Sequence, residues 1–138
     1  MKNKILNKLN KLLNREWYLY KRYKIKSTYV LMNHNGNVKK EEILAVLRES
    51  DDVFEIDENN FFIVLFFTEL KKSFKAVQNI EYKLNKKNSN NIFAISTFRN
   101  KIDIEDMLKK ITDTINYLKK NKSFNKIEDD EILLNYQP

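Results

Sequence analysis

Residues 48–67 read RESDDVFEIDENNFFIVLFF. Asp51–Ile56 has the mixed polarity of a short half-buried strand. Asp57–Asn60 (DENN) is a turn of residues that bond their own backbone. Phe61–Phe67 (FFIVLFF) is an unbroken apolar run, the mark of a strand covered on both faces. The stretch therefore predicts a hairpin set inside a layered α+β structure, because no single layer covers both faces of its second strand.

The flanking sequence extends this hairpin in both directions. Upstream, residues 27–32 (STYVLM) predict a strand, rich in β-branched and aromatic residues. Residues 33–37 (NHNGN) read as a turn with the chain's only glycine. Residues 38–50 predict a helix with Ile43, Leu44 and Leu47 on one face. Downstream, residues 69–87 predict a helix carrying Leu70, Phe74, Val77 and Leu84, and residues 88–91 a loop. Residues 92–98 predict a strand. Asp103 is placed to cap a further helix, with Asp106 at its third position. Met107, Leu108, Ile111, Ile115 and Leu118 follow at helical spacing, and Lys119, Lys120 and Lys122 suit its C-terminal end. Residues 123–138 are acidic and then apolar, a tail or one more strand. The order gives an α+β fold with ferredoxin-like βαββαβ connectivity and an antiparallel sheet.

Such a sheet carries its two crossover helices on one face. Cover for the other face is available in residues 3–23, where Ile5, Leu6, Leu9, Leu12, Leu13, Trp17 and Tyr20 recur at helical spacing. The stripe Leu6, Leu9, Leu13, Trp17, Tyr20 fits two uses: packing on its own domain, or a seam for homodimerisation or a protein partner. Charge separates the same segment from the rest. The net charge is +7, yet residues 1–26 hold nine basic residues and one acid, Glu16. That arm is +8, so the remaining 112 residues sum to −1. The chain divides into a basic amphipathic helix (1–26), a domain (27–122) and a C-terminal stretch (123–138).

Composition excludes several chemistries. Cysteine is absent and histidine occurs once, so thiolate catalysis, disulfides and a zinc centre are not expected. No apolar run reaches membrane-span length, and Lys and Asn interrupt every apolar stretch near the N-terminus. A cytoplasmic protein without a transmembrane segment is expected. His34 has no partners in sequence for a triad or a metal site.

The spacing of the opening stretch resembles the GGDEF family of diguanylate cyclases. That family's core reads Arg-x-x-Asp, five residues, Gly-Gly-Asp-Glu-Phe, and then an apolar strand. Here Arg48-Glu-Ser-Asp51 precedes five residues, then Asp57-Glu-Asn-Asn-Phe61, then IVLFF. Residues 94–98 (AISTF) are similar to the family's fourth strand. The helix from Asp106 is similar to its "LL..AD.AL..AK" pattern, and Leu12-Leu-Asn-Arg15 to its "Leu-x-Asn-Arg". The resemblance spans about four-fifths of the chain.

The resemblance implies a bacterial signalling module of cyclase ancestry, and this sequence departs from it where catalysis is made. Members hold magnesium with an acid at the end of the first strand and an acid of the signature. Those positions are Asn33, and Asn59 with Asn60: neutral amides that supply oxygen without charge. The signature glycines, which admit phosphate close to the backbone, are Asp57 and Glu58. Phe61 matches. The family's guanine-recognising stretch between first strand and helix is replaced by a short connection. The expectation is a non-enzyme with no cofactor. Arg-x-x-Asp, in active members, is the inhibitory site for the product cyclic di-GMP, so Arg48 and Asp51 are the candidate ligand-binding residues. An Arg fork donates to a guanine acceptor edge and a carboxylate accepts from its donor edge. Arg and Asp three residues apart also suit a plain local ion pair. A contrasting reading is a ferredoxin-like module in the manner of an RNA-recognition motif. It would stack bases on Phe62, Val64 and Phe66, with nonspecific nucleic-acid or membrane binding through the basic arm.

Overall fold

The computed structural model describes residues 3–84, 90–98, 104–121 and 126–129. The elements run α1 (Asn3–Tyr23), β1 (Thr28–His34), α2 (Lys40–Leu44), β2 (Asp52–Asp57), β3 (Asn60–Leu65), α3 (Leu70–Leu84), β4 (Asn91–Thr97), α4 (Ile104–Lys120) and β5 (Lys126–Asp129). The strands form one sheet in the order β2-β3-β1-β4-β5. The first four are antiparallel neighbours, which is ferredoxin-like connectivity. β5 adds to the edge in parallel with β4. Asp103, expected as a cap, lies outside the described residues.

Both faces of the sheet are buried, and strand alternation divides the apolar residues between them. Phe61, Ile63 and Leu65 of β3 join Val30, Met32, Phe93 and Ile95 under α2 and α3, against Ile43, Val77 and Ile80. Phe62 and Val64 point the other way, with Tyr29, Ile92 and Ala94, under α1 and α4. Each such buried apolar side chain is worth about 1.5–3 kcal/mol. The sheet is therefore the middle of three layers, as the apolar third strand required.

α1 supplies part of the second cover. Leu9, Leu13 and Tyr20 are buried on the sheet, and Trp17 packs edge-on against Phe98 at 5.0 Å between centroids. Leu9, Leu13 and Tyr20 of the apolar stripe are thus spent on the chain's own core. The same burial removes the stacking platform of the RNA-recognition reading, because Phe62 and Val64 lie beneath helices. Lys24 ends α1 in the left-handed region (φ 58), and its N–H donates to Tyr20 O at 3.0 Å. In a chain with one glycine, lysine fills a position that glycine usually takes.

Among the described residues, three elements have a boundary two or more residues from the sequence expectation, and β2 and β4 are each displaced by one. β1 continues through Asn33 and His34, because both pair with neighbouring strands (Asn33 opposite Asn60 and Ile92). α2 stops at Leu44, not at residue 50. Val46 N–H and Leu47 N–H tighten into bonds three residues back, and the Arg48 N–H is captured by the Asp51 carboxylate. A short acidic side chain offering an acceptor to backbone N–H competes with helix continuation. β3 stops at Leu65, so Phe66 and Phe67 leave the sheet.

Candidate functional site

The β2–β3 hairpin carries the sequence-predicted residues at its two opposite ends. At the open end, Asp52 begins β2 and Leu65 closes β3. Arg48 and Asp51 lie just before the one, and Phe66–Thr68 just after the other. Asp51 is almost wholly buried, with its side chain 3% exposed. Its Oδ1 accepts from Arg48 Nη2 (2.8 Å) and Phe66 N (3.1 Å). Its Oδ2 accepts from Arg48 N (3.0 Å) and Arg48 Nε (3.2 Å). One carboxylate thus ties the end of the α2 segment to the end of β3.

The Arg48 side chain, by contrast, is 57% exposed. Its Nη2 also donates to Phe66 O (2.6 Å) and Thr68 Oγ1 (2.7 Å). Its Nη1 has no partner among the described residues. The hydrogen bond to Asp51 holds the guanidinium pKa above its ordinary value, so the charge is permanent. Arg48 borders an open cleft of about 350 Å³, with Leu47, Phe67, Thr68, Lys72 and Lys75 among its walls. Three cations face one carboxylate, and that carboxylate is already internally paired. Lys72 and Lys75 come from α3, and nothing in their sequence position joined them to Arg48. Glu49 and Asp52, acids beside Arg48 in sequence, do not line the cleft.

At the closed end, Asp57–Asn60 turns the hairpin beside the end of β1. Asn33 Nδ2 donates to Asn60 Oδ1 (3.0 Å), and Asn60 Nδ2 donates to Asp57 (3.0 and 3.1 Å to its two oxygens). Asn59 N also donates to Asp57 Oδ1 (2.8 Å), an Asx-type closure. Glu58 is exposed and Phe61 is buried. His34, left without a role by the sequence, stacks on Phe61 at 5.4 Å and lies against Gly36 O through Nδ1 (3.1 Å). Its N–H donates to Asn59 O and its carbonyl accepts from Asn59 Nδ2. Burial pushes its pKa below the usual 6.5, so the ring is neutral at pH 7. Among the described residues no group of three or more His, Cys, Asp or Glu could hold a metal ion.

The three-layer arrangement matches solved structures closely. The chain is similar to the diguanylate cyclase SiaD of Pseudomonas aeruginosa, solved with its activator SiaC, at TM-score 0.77 and 11% identity over 89% of this chain. The fold is that of a GGDEF domain. A second similar structure is the active GGEEF domain of a diguanylate cyclase from Vibrio cholerae (TM-score 0.67, 13% identity, 82% of this chain and 86% of that one). A third is the GGDEF domain of DgcB from Caulobacter crescentus in complex with c-di-GMP (TM-score 0.73, 8% identity, 89% and 88%). The chain spans 56% of the SiaD chain. No family model and no curated protein sequence matches. The GGDEF-like fold is thus carried by structure, at identities where sequence comparison is silent. No helix among the described residues is long and apolar enough to cross a membrane.

Proposed function

We propose that this chain is a GGDEF-like signalling module that does not make cyclic di-GMP but binds it, in the cleft fronted by Arg48. The observation carrying this reading is the exposed Arg48 guanidinium, oriented by a buried Asp51, on a cleft that also holds Lys72 and Lys75. Its Nε and Nη2 donors are held by Asp51, Phe66 and Thr68, which leaves Nη1 to donate to an acceptor on guanine, and the lysines suit phosphate. Asp51 acts as a positioning residue here, because its oxygens are occupied by Arg48 and Phe66. Arg48 meets the ligand.

The closed end supports the loss of catalysis. Phosphoryl transfer between two GTP molecules needs metal-held phosphates and an activated hydroxyl. The residues present do not fit magnesium: Asn33 and Asn60 bond each other, and Asp57 is spent on Asn59 and Asn60. Carboxylates at positions 57 and 58 also repel a triphosphate.

Calorimetric titration with cyclic di-GMP tests the binding reading. The expected result is micromolar binding that Arg48→Ala weakens at least tenfold; no heat at millimolar ligand sinks it. Incubation with GTP and magnesium tests the other half, and any cyclic di-GMP formed by the purified chain overturns it.

A second reading, docking of an acidic partner surface on α1, has its own observation. Glu16, the sole acid of residues 1–26, is buried at 2% exposure. The outward face of α1 therefore shows Lys8, Lys11, Arg15, Lys21 and Arg22 with no opposing acid. Binding of this kind weakens steeply with salt.

A further inference from the structure

Phe67 is the last residue of the apolar run and, unlike buried Phe61–Leu65 and half-buried Phe66, lies in water. It is 68% exposed, although the run as a whole predicts burial. Its φ is 51, the left-handed region that is costly for a residue with a bulky side chain. The conformation is fixed from three directions. Phe67 N–H donates to Ser27 Oγ (3.0 Å), which precedes β1. Phe66 N–H donates to Asp51, and Phe66 O accepts from Arg48 and Thr68. The fold thus spends hydrogen bonds from separate segments to hold a large apolar ring in water.

The ring has a definite setting. It forms one wall of the Arg48 cleft, whose other walls present Lys72 and Lys75. An exposed ring, a guanidinium and two ammonium groups suit a ligand that is both aromatic and phosphorylated. Base stacking on an aromatic side chain is tolerant of base identity, and the guanidinium beside it supplies the acceptor-edge contact. The cleft, at about 350 Å³, lies near the small end of ligand cavities and suits one nucleobase with its phosphate.

We infer that Phe67 is the stacking residue of this cleft, held in a strained turn so that one base of a phosphorylated nucleotide lies on its ring beside Arg48. This rests on the cyclic di-GMP reading above and adds a contact that the Arg48–Asp51 pair does not supply.

Titration of the full chain with cyclic di-GMP, for wild type and Phe67→Ala, Phe67→Tyr, Phe67→Trp and Phe67→Gly, tests the assignment. Phe67→Ala is expected to weaken binding about tenfold, Phe67→Tyr to stay within about twofold of wild type, and Phe67→Trp to bind with quenching of the new indole. Phe67→Gly relieves the positive φ, so its unfolding midpoint is expected at or above that of wild type while its binding falls like that of Phe67→Ala. A residue serving structure alone would not separate the two readouts. If Phe67→Ala binds as tightly as wild type while Arg48→Ala loses binding, the stacking role is overturned and the binding reading stands. If wild type gives no heat at millimolar ligand, both fall.

Discussion

The two ends of one hairpin have been treated in opposite ways. At the closed end, acids and amides satisfy one another: Asp57 holds Asn59 and Asn60, and Asn60 holds Asn33. The charge left over there, on exposed Asp57 and Glu58, is negative and repels phosphate. At the open end a single buried carboxylate organises an exposed cation, and two lysines stand across a cleft whose one lining carboxylate among the described residues, Asp51, is already paired with Arg48. Hydrogen-bond capacity consumed internally makes a turn; capacity left pointing at solvent makes a site. The lesson is that residue type alone does not mark a site, since an Asp organises the hydrogen bonds at both ends, Asp51 at one and Asp57 at the other.

The comparison is broken first by stability. Asp51→Ala leaves Arg48 N–H and Phe66 N–H without their acceptor in a buried place, and costs about 2–4 kcal/mol by urea unfolding. Asp57→Ala, at an exposed turn, costs about 0.5–1 kcal/mol by the same measurement. Equal losses would erase the distinction between the two ends. Arg48→Lys sharpens it next: it keeps the charge and loses the fork, and is expected to lower cyclic di-GMP affinity by about 1–2 kcal/mol in calorimetry.

Two pH effects of opposite sign come next. Burial raises the pKa of Glu16 above its usual 4.5, with Arg15 and Ser27 opposing the shift. A raised carboxyl pKa means stability present below 4.5 and lost as pH rises through the folded value. Glu16→Gln should therefore raise the unfolding midpoint at pH 7, and the gain should vanish below pH 4.5. His34 runs the other way: its pKa is lowered, so its contribution is present above 6.5 and is lost as pH falls through the folded value. An NMR titration of the ring should give a midpoint below 6.5; a midpoint at or above it would mean that the closed end is open to water. The smallest expected effect is none at all. Asn33→Asp with Asn60→Asp restores two acids but neither the glycines nor the guanine-recognising stretch, so GTP with magnesium should yield no cyclic di-GMP.

Much of this molecule was readable from the sequence, because the signals concerned are local. Strand alternation, the 3.6-residue spacing of Leu9 and Leu13, and the apolar run at 61–65 each arise from residues near one another in the chain. So does the pairing of Arg48 with Asp51, three residues apart. The sequence by itself also determined that positions 33, 59 and 60 are amides, whose lack of charge needs no structure to establish. What only the tertiary structure decided depends on distant segments meeting. Asp51 ends α2 early because its carboxylate bonds both Arg48 N–H and the far Phe66 N–H. α1 closes over Phe62 and Val64, which turns a candidate open face into core. Glu16 is buried in that contact, and Lys72, Lys75 and Phe67 assemble around Arg48 only because α3 folds back beside the hairpin. The physical reason is that burial and desolvation belong to the packed whole, whereas residue identity and spacing belong to the chain.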